Sequence, residues 1–444
     1  MNKVYLAIVL LTVYGDILKR YLPAAVALGS LYGSAFAILI WIIVSNSGRR
    51  KIKLLLSFEE KQISNCIYFL IGVYVFEFLL ASNNSPLIAG ISTSMYVLLP
   101  LGYTLVIIKY CPYFNGVTLA QLYHLAMIPV NIIGLIQFKI NPNFFIDNNY
   151  VKTGGIIARN LLEGGSFSRL PSIFTSADRY SSLGLVQFYL AFVLLLDNQP
   201  KSKFKIFWIL FNILSGLTAM FISGARSRLL ITITVFILLG FTIFMSFFSS
   251  QGKFKMKYLF KPIFELLLVV VFISVTIGLT SPEKFSSLGQ EINNFPVLGF
   301  LQQSVEKGDI QGRVNQSVQI SLIPEEVSLF GEGLGSLGNK PREFGISALW
   351  IESGLFWGLP KLAAFAGIIL TFIRLAFRAF MKIKPVRVVL FCIPPLVLSF
   401  GLLTGLTGVL ELSSGVLLCV CMGFVINFSR QSYNNHISSV SLTL

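Results

Sequence analysis

A chain of 444 residues is long enough for two or three soluble domains, yet 55% of its residues are hydrophobic, only 12% are charged and the mean hydropathy is +0.77. Apolar runs of about 18 residues or more, the length that crosses a hydrocarbon core of roughly 30 Å, recur throughout, which excludes a water-soluble protein and predicts one all-α, polytopic integral membrane domain over residues 1–444. The net charge of +16, from 35 Lys and Arg against 19 Asp and Glu, sits in short clusters between apolar runs, with no basic stripe interleaved with aromatics, and so excludes nucleic-acid binding.

In chain order the apolar runs give twelve candidate transmembrane helices: 4–15, 24–45, 66–83, 87–108, 116–136, 181–196, 206–222, 229–249, 260–280, 355–377, 386–401 and 406–427. Asp16, Lys19 and Arg20 follow the first run without a small-residue cleavage site, so it reads as a span and not as a removed signal. The basic clusters Arg49-Arg50-Lys51 with Lys53, Lys201/Lys203/Lys205, Lys253/Lys255/Lys257 and Arg378/Lys382/Lys384/Arg387 fall in loops that the positive-inside rule makes cytoplasmic. Both termini are then inside, including a tail over 428–444, and the excess positive charge orients the chain and attracts anionic lipid.

Two of the remaining, outer loops are long: 137–180 and 281–354, the second expected to carry amphipathic helices. Long loops within a compact domain tend to carry function, and Phe295, Leu298 and Phe300 give the second one apolar content that a merely solvated loop would lack. Gly29/Gly33 and Gly401/Gly405 are GxxxG pairs expected to seat neighbouring helices.

Arginines are costly beside a membrane unless they bind something, and Arg159, Arg169, Arg179, Arg226, Arg228, Arg313 and Arg342 crowd the outer side. A polyanionic lipid headgroup would account for them, because the guanidinium fork grips phosphate oxygens bidentately; for each one, snorkelling or pairing with a loop carboxylate is the alternative. Arg226 and Arg228 stand out, since they occupy the tight turn Ser223-Gly224-Ala225-Arg226-Ser227-Arg228, where positive-inside bias opposes charge. Asp16, Glu77, Glu343, Glu352 and Glu411 also lie toward the outer side, each either a general base or the partner of an arginine.

Gly333-Leu334-Gly335-Ser336-Leu337-Gly338 matches the dinucleotide pattern literally but lacks the βαβ unit that gives it meaning, and serves instead to turn the chain or to bring backbone amides close to a phosphate. His124, inside a span, reads as a satisfied interior residue, with a proton-relay role as the alternative. Cys66, Cys111, Cys392, Cys419 and Cys421 show neither metal spacing nor a disulfide framework, and no metal or other cofactor is expected.

Over roughly residues 116–377 the chain resembles the O-antigen ligase and polymerase superfamily, integral membrane glycosyltransferases that use undecaprenyl-diphosphate-linked sugars. Arg169-Leu170-Pro171-Ser172-Ile173-Phe174-Thr175-Ser176-Ala177-Asp178 is similar to the family's Arg-x-x-Gly-x-Phe-x-x-Pro-Asn, departing at Ser172, Ala177 and Asp178. Ser223-Gly224-Ala225-Arg226-Ser227 resembles its Gly-Ser-Arg turn. Gly312-Arg313, followed by Ile323-Pro324 and Leu329-Phe330-Gly331-Glu332-Gly333-Leu334-Gly335-Ser336, resembles an arginine, an amphipathic helix and Pro-Leu-Phe-Gly-x-Gly-x-Gly. Leu349-Trp350-Ile351-Glu352-Ser353-Gly354-Leu355-Phe356-Trp357-Gly358 resembles Leu-x-x-Glu-x-Gly-Leu-x-Gly at the start of a helix.

The resemblance implies a polymerase of O-antigen, capsule or exopolysaccharide repeat units at the outer face of the bacterial cytoplasmic (inner) membrane, needing no cofactor. Its donor would be an undecaprenyl-diphosphate-linked oligosaccharide, with Arg226 and Arg313 stabilising the diphosphate and Arg169, Arg179, Arg228 and Arg342 as further phosphate contacts. Ligases place a histidine nine residues before the glutamate of the last motif, where this chain has Glu343; the departure favours a polymerase, with Glu343 as the base. The alternatives are an O-antigen ligase-type transferase and a polysaccharide transporter or flippase. A chain-length regulator and a flippase are the implied partners, beside membrane lipids.

Overall fold

In a hydrocarbon layer each backbone N–H and C=O must find a partner within the protein, and these apolar runs meet that demand as helices. The computed structural model describes residues 2–17, 21–22, 24–47, 56–81, 87–111, 114–141, 144–145, 170–174, 177–196, 202–223, 226–248, 328–334, 336, 347–404 and 412–441. Among the described residues there is no strand.

The helices are α1 (Asn2–Tyr14, prolonged by the 3₁₀ turn Gly15–Ile17), α2 (Ala24–Ser47), α3 (Phe58–Ala81), α4 (Leu87–Tyr110), α5 (Gly116–Lys139) and α6 (Ala177–Val193, prolonged by Leu194–Leu196). They continue with α7 (Lys203–Ser223), α8 (Arg226–Phe248), α9 (Ser347–Met381), α10 (Pro385–Thr404) and α11 (Leu412–Ser441). Each expected span overlaps one of these except 260–280, which lies outside the described residues, as does the loop 281–354 apart from residues 328–334, 336 and 347–354.

Among the described residues, six stretches are long and apolar enough to cross a membrane: Gly29–Asn46, Phe58–Leu79, Gly116–Lys139, Ala177–Leu196, Lys203–Ser223 and Leu349–Met381. Shorter apolar helical stretches occupy Val97–Tyr110, Ile231–Phe244, Pro385–Ser399 and Ser414–Ser429. The polar sequence after Phe428 has no Gly or Pro to stop a helix, and α11 runs on to Ser441, so the expected tail extends α11 over its described part.

Long-range hydrogen bonds fix the helix directions. Asn115 N donates to Tyr5 Oη at 3.0 Å and Tyr14 Oη to the Ala126 carbonyl at 2.7 Å, so α1 and α5 run parallel. Tyr103 Oη donates to the Ala35 carbonyl at 2.6 Å, Thr104 Oγ1 to the Cys419 carbonyl at 2.8 Å, and Asn427 Nδ2 to the Ile107 and Cys111 carbonyls at 3.0 Å. With Asn46 Nδ2 on Cys111 Sγ, those bonds set α2, α4 and α11 in one direction.

Arg228 against Ser182 and Phe188 against Phe236 make α6 and α8 parallel, while Glu59–Arg378 and Glu77–Lys361 make α3 and α9 antiparallel. Phe241 stacks on Phe380 at 5.7 Å near the last residues of α8 and α9, and Arg387 lies 5.1 Å from the Phe428 ring centre. One end of the bundle therefore carries Lys203, Lys205, Arg378, Lys382, Lys384 and Arg387, together with the first residues of α1 and the last of α11. Helices α8 and α9 run the same way.

At the centre stands α6, buried at every position except Asp178 and Arg179. Its closest neighbour is α7: a Cβ on Gly184 would lie 2.9 Å from the Gly216 carbonyl oxygen, so each glycine lets the other's backbone approach. By contrast Gly29 and Gly33 meet nothing within 4 Å among the described residues, so the packing expected of that GxxxG pair is not made with any described helix. Side-chain amides cross the core in one chain of bonds: Tyr180 Oη to Asn131 Oδ1 (3.2 Å), Asn131 Nδ2 to Gln187 Oε1 (3.0 Å), Gln187 Nε2 to Asn212 Oδ1 (3.0 Å) and Asn212 Nδ2 to the Trp208 carbonyl (2.8 Å).

Candidate functional site

Helix α9 breaks where the sequence places a glycine. Gly354 has φ +61 and ψ −171, a conformation open to glycine and strained for other residues. In an unbroken helix the amides of Leu355 and Phe356 would bond to the carbonyls of Ile351 and Glu352, and the break frees all four groups. Residues 328–333 insert and satisfy each of them. Glu332 N donates to Ile351 O at 2.8 Å and Gly333 N to Glu352 O at 2.9 Å, while Leu355 N donates to Ser328 O at 3.3 Å and Phe356 N to Leu329 O at 2.9 Å.

The inserted segment is itself built for close approach. Gly331 has φ +76 and Gly333 φ +99, and a Cβ on Gly331 would overlap the Glu352 carbonyl and sit 2.5 Å from Gly354 N. Ser328 Oγ accepts from Gly331 N at 2.9 Å and closes the turn. Leu329, Phe330 and Phe356 stay exposed around it, with the Phe330 and Phe356 rings 5.5 Å apart.

Directly beneath the break lies a buried polar group. Lys361, 1% exposed, points back along α9 as long helical side chains do, and its Nζ donates to Ser353 Oγ at 2.8 Å. The same ammonium pairs with Glu77 of α3, 0% exposed, and sits 3.9 Å from the ring centre of Tyr74. Glu352, also buried, adds a second carboxylate to the electrostatic surroundings of Lys361. A lysine beside a serine is a known arrangement for activating the hydroxyl, and here the same lysine nitrogen also faces the Glu77 carboxylate as an ion pair.

Along α3 and α9 the two ion pairs measure depth. Glu59 and Glu77 are eighteen residues apart and Arg378 and Lys361 seventeen, about 27 and 26 Å at helical rise, against a hydrocarbon core of roughly 30 Å. The Lys361 group therefore lies toward the end of the bundle opposite the basic end, and the break at Gly354 lies further along α9 in the same direction.

At the same end of the bundle α6 begins. Arg179 pairs with Asp16 at the end of α1, and Arg228 donates to Ser182 Oγ at 3.3 Å, whose hydroxyl donates to the Asp178 carbonyl at 2.9 Å. Before α6, Ser172 adopts φ 55 and is pinned by Gln137: Ser172 N donates to Gln137 Oε1 at 2.8 Å, and Gln137 Nε2 to the Ser172 carbonyl at 2.9 Å. Ser172 Oγ also donates to the Val130 carbonyl at 2.6 Å.

No protein-family model matches this chain, and no curated protein does.

Of the expected site residues, Arg179 and Arg228 come together at the start of α6, and Arg226 is the first residue of α8. Arg169, Arg313, Arg342 and Glu343 lie outside the described residues, as do Arg159 and Glu411. Asp16 takes the ion-pair role left open for it, and so does Glu77, though with a lysine in place of an arginine. His124 is fully buried with the Leu190 backbone beside it, and neither ring nitrogen reaches hydrogen-bond geometry among the described residues.

Sequence reasoning passed over Lys361, Ser353, Tyr74 and Gln137. A lysine inside an apolar helix, seven residues past a glycine, was the available signal, since such a charge demands a buried partner. Among the described residues no group of His, Cys, Asp or Glu is arranged to hold a metal ion.

Proposed function

We propose that the protein is a polysaccharide repeat-unit polymerase of the bacterial cytoplasmic membrane, acting at the outer face on undecaprenyl-diphosphate-linked oligosaccharides. The observation that carries the reading is the docking of Leu329-Phe330-Gly331-Glu332-Gly333 into the break of Ile351-Glu352-Ser353-Gly354-Leu355. Two stretches that resemble the superfamily, read separately from sequence, meet as one unit whose glycines are required by conformation and contact. Ser172 adds to this support: it stands where the family has glycine, and its φ of 55 is one that glycine adopts freely.

In the proposed reaction an acceptor hydroxyl attacks the anomeric carbon of the donor sugar with inversion. The bond from that carbon to the diphosphate oxygen breaks, undecaprenyl diphosphate departs, and the hydroxyl proton passes to Glu343. Arg226 and Arg313 stabilise the charge that develops on the leaving group, with Arg169, Arg179, Arg228 and Arg342 as further phosphate contacts. The end of the bundle opposite the basic clusters is then periplasmic, and both termini are cytoplasmic.

One observation favours a transporter or flippase: a broken helix next to a buried ion pair is a feature of that class. Depth weighs against it, because transport sites lie near the midplane and Lys361 stands about 26 Å along α9 from Arg378.

The test is incubation of the purified protein in lipid with an undecaprenyl-diphosphate repeat unit, followed by separation of the glycans by size. A metal-free ladder that disappears in Arg226→Ala and Arg313→Ala supports the reading. Transfer of a single saccharide to an added lipid acceptor makes the protein a ligase, and folded protein without turnover moves the reading to transport.

A further inference from the structure

We infer that Lys361 is a positioning residue: with Glu77 as its counter-ion and Ser353 as its contact, it holds the lip of the α9 break in the shape that receives residues 328–333. The inference takes the polymerase reading for its activity arm only.

Three features carry it. Lys361 Nζ bonds to Ser353, the last residue before the break, at 2.8 Å, across eight residues of α9. A straight helix would put those two Cα atoms about 12 Å apart, so the contact joins the two sides of the break and fixes the angle between them. Its anchor lies on another helix, for Glu77 belongs to α3, which is tied to α9 a second time at Glu59–Arg378. The strut therefore fixes α9 on either side of Gly354 relative to α3, while the carbonyls of Ile351 and Glu352, directly before Ser353, accept the inserted segment.

The chemistry of the group argues for positioning over simple stabilisation. A buried ion pair gains little net stability over apolar side chains of similar volume, because desolvating both charges offsets their attraction. Leu and Met at 77 and 361 would close the α3–α9 contact equally well. What they would not supply is a donor directed at Ser353.

The experiment uses the full chain in lipid nanodiscs and compares wild type, Ser353→Ala and the double variant Glu77→Leu/Lys361→Met, which removes both members of the ion pair together. The first readout is hydrogen exchange at the amides of Glu332, Gly333, Leu355 and Phe356, the four that donate across the break. Exchange there should rise by about tenfold or more in both variants, the effect of losing a charge-assisted hydrogen bond, while the amides of α6 keep their wild-type rates. Wild-type protection of the four amides in both variants overturns the inference.

Should the double variant lose protection throughout, Ser353→Ala alone decides, since it leaves the ion pair in place. The second readout is the glycan ladder: turnover should fall with the donor KM unchanged, and Lys361→Arg should restore part of it. An unchanged turnover beside raised exchange would overturn the positioning role. If the wild type makes no ladder, the polymerase reading fails, and the exchange measurement still tests the strut.

Discussion

Gly331 and Gly354 face each other so closely that neither has room for a Cβ: one on Gly331 would lie 2.5 Å from Gly354 N, and one on Gly354 would be 2.6 Å from the Leu329 carbonyl oxygen. Both have positive φ, at +76 and +61, so conformation and contact each demand glycine. The broken helix and the inserted segment thus depend on one another, since each supplies the partners that the other's backbone needs.

Alanine at either glycine should therefore be severe. Conformational strain alone costs about 1–3 kcal/mol, and the overlap adds to it. Thermal unfolding in nanodiscs should show a clear loss for Gly331→Ala and Gly354→Ala, whereas Gly29→Ala, in open space on α2, should be neutral or slightly stabilising. Equal melting of all three would contradict the fit.

Ser172 offers a test in the opposite direction. Its φ of 55 is strained for serine, and its hydroxyl bond to the Val130 carbonyl offsets part of that strain. Ser172→Gly removes both and should stay within about 1 kcal/mol of wild type, while Ser172→Ala keeps the strain, loses the bond and should be the less stable. Melting temperatures in the order Gly above Ala check this, and the reverse order would reject it.

How far the sequence was readable follows from what each feature depends on. Span positions depend on local hydropathy, so the helices appear where the apolar runs lie, and the break at Gly354 falls one residue before the expected start of a span at 355. Contacts between distant residues were not readable. Nothing local distinguishes Gly29 and Gly33, which face open space, from Gly184 and Gly216, which touch. Lys361 was visible as a charge in an apolar helix, but its partners come from α3 and from across the break. The arginines of the undescribed loops remain where the sequence reading left them, as proposals.

The amide chain through Asn131, Gln187 and Asn212 should fix how α5, α6 and α7 register. Gln187→Leu removes two bonds and leaves Asn131 and Asn212 each short of one, so it should cost more than Asn212→Leu, which sits at the end of the chain. Polar contacts of this kind between membrane helices are worth about 0.5–2 kcal/mol each. Unfolding of the two single variants and the double should reveal a cost smaller than the sum, because the residues share a bond. Strict additivity would argue against a connected chain.

The two ion pairs that join α3 to α9 differ in burial, and that difference should set their energies. Arg378 is 50% exposed while Glu59 is 9% exposed, so solvent and salt reach the pair from the arginine side, and Arg378→Ala should cost less than Lys361→Ala and less still at high ionic strength. Lys361 is 1% exposed and Glu77 0%, so Lys361→Ala strands a carboxylate away from water and should cost about 3–5 kcal/mol, with little dependence on salt. Glu77→Leu in the Lys361→Met background removes the stranded charge and should recover most of that loss. Melting each variant at low and high salt separates the cases: a salt-sensitive Lys361 pair, or a double variant no more stable than Lys361→Ala, would mean that the pair is reached by water and does not hold the α9 break against α3.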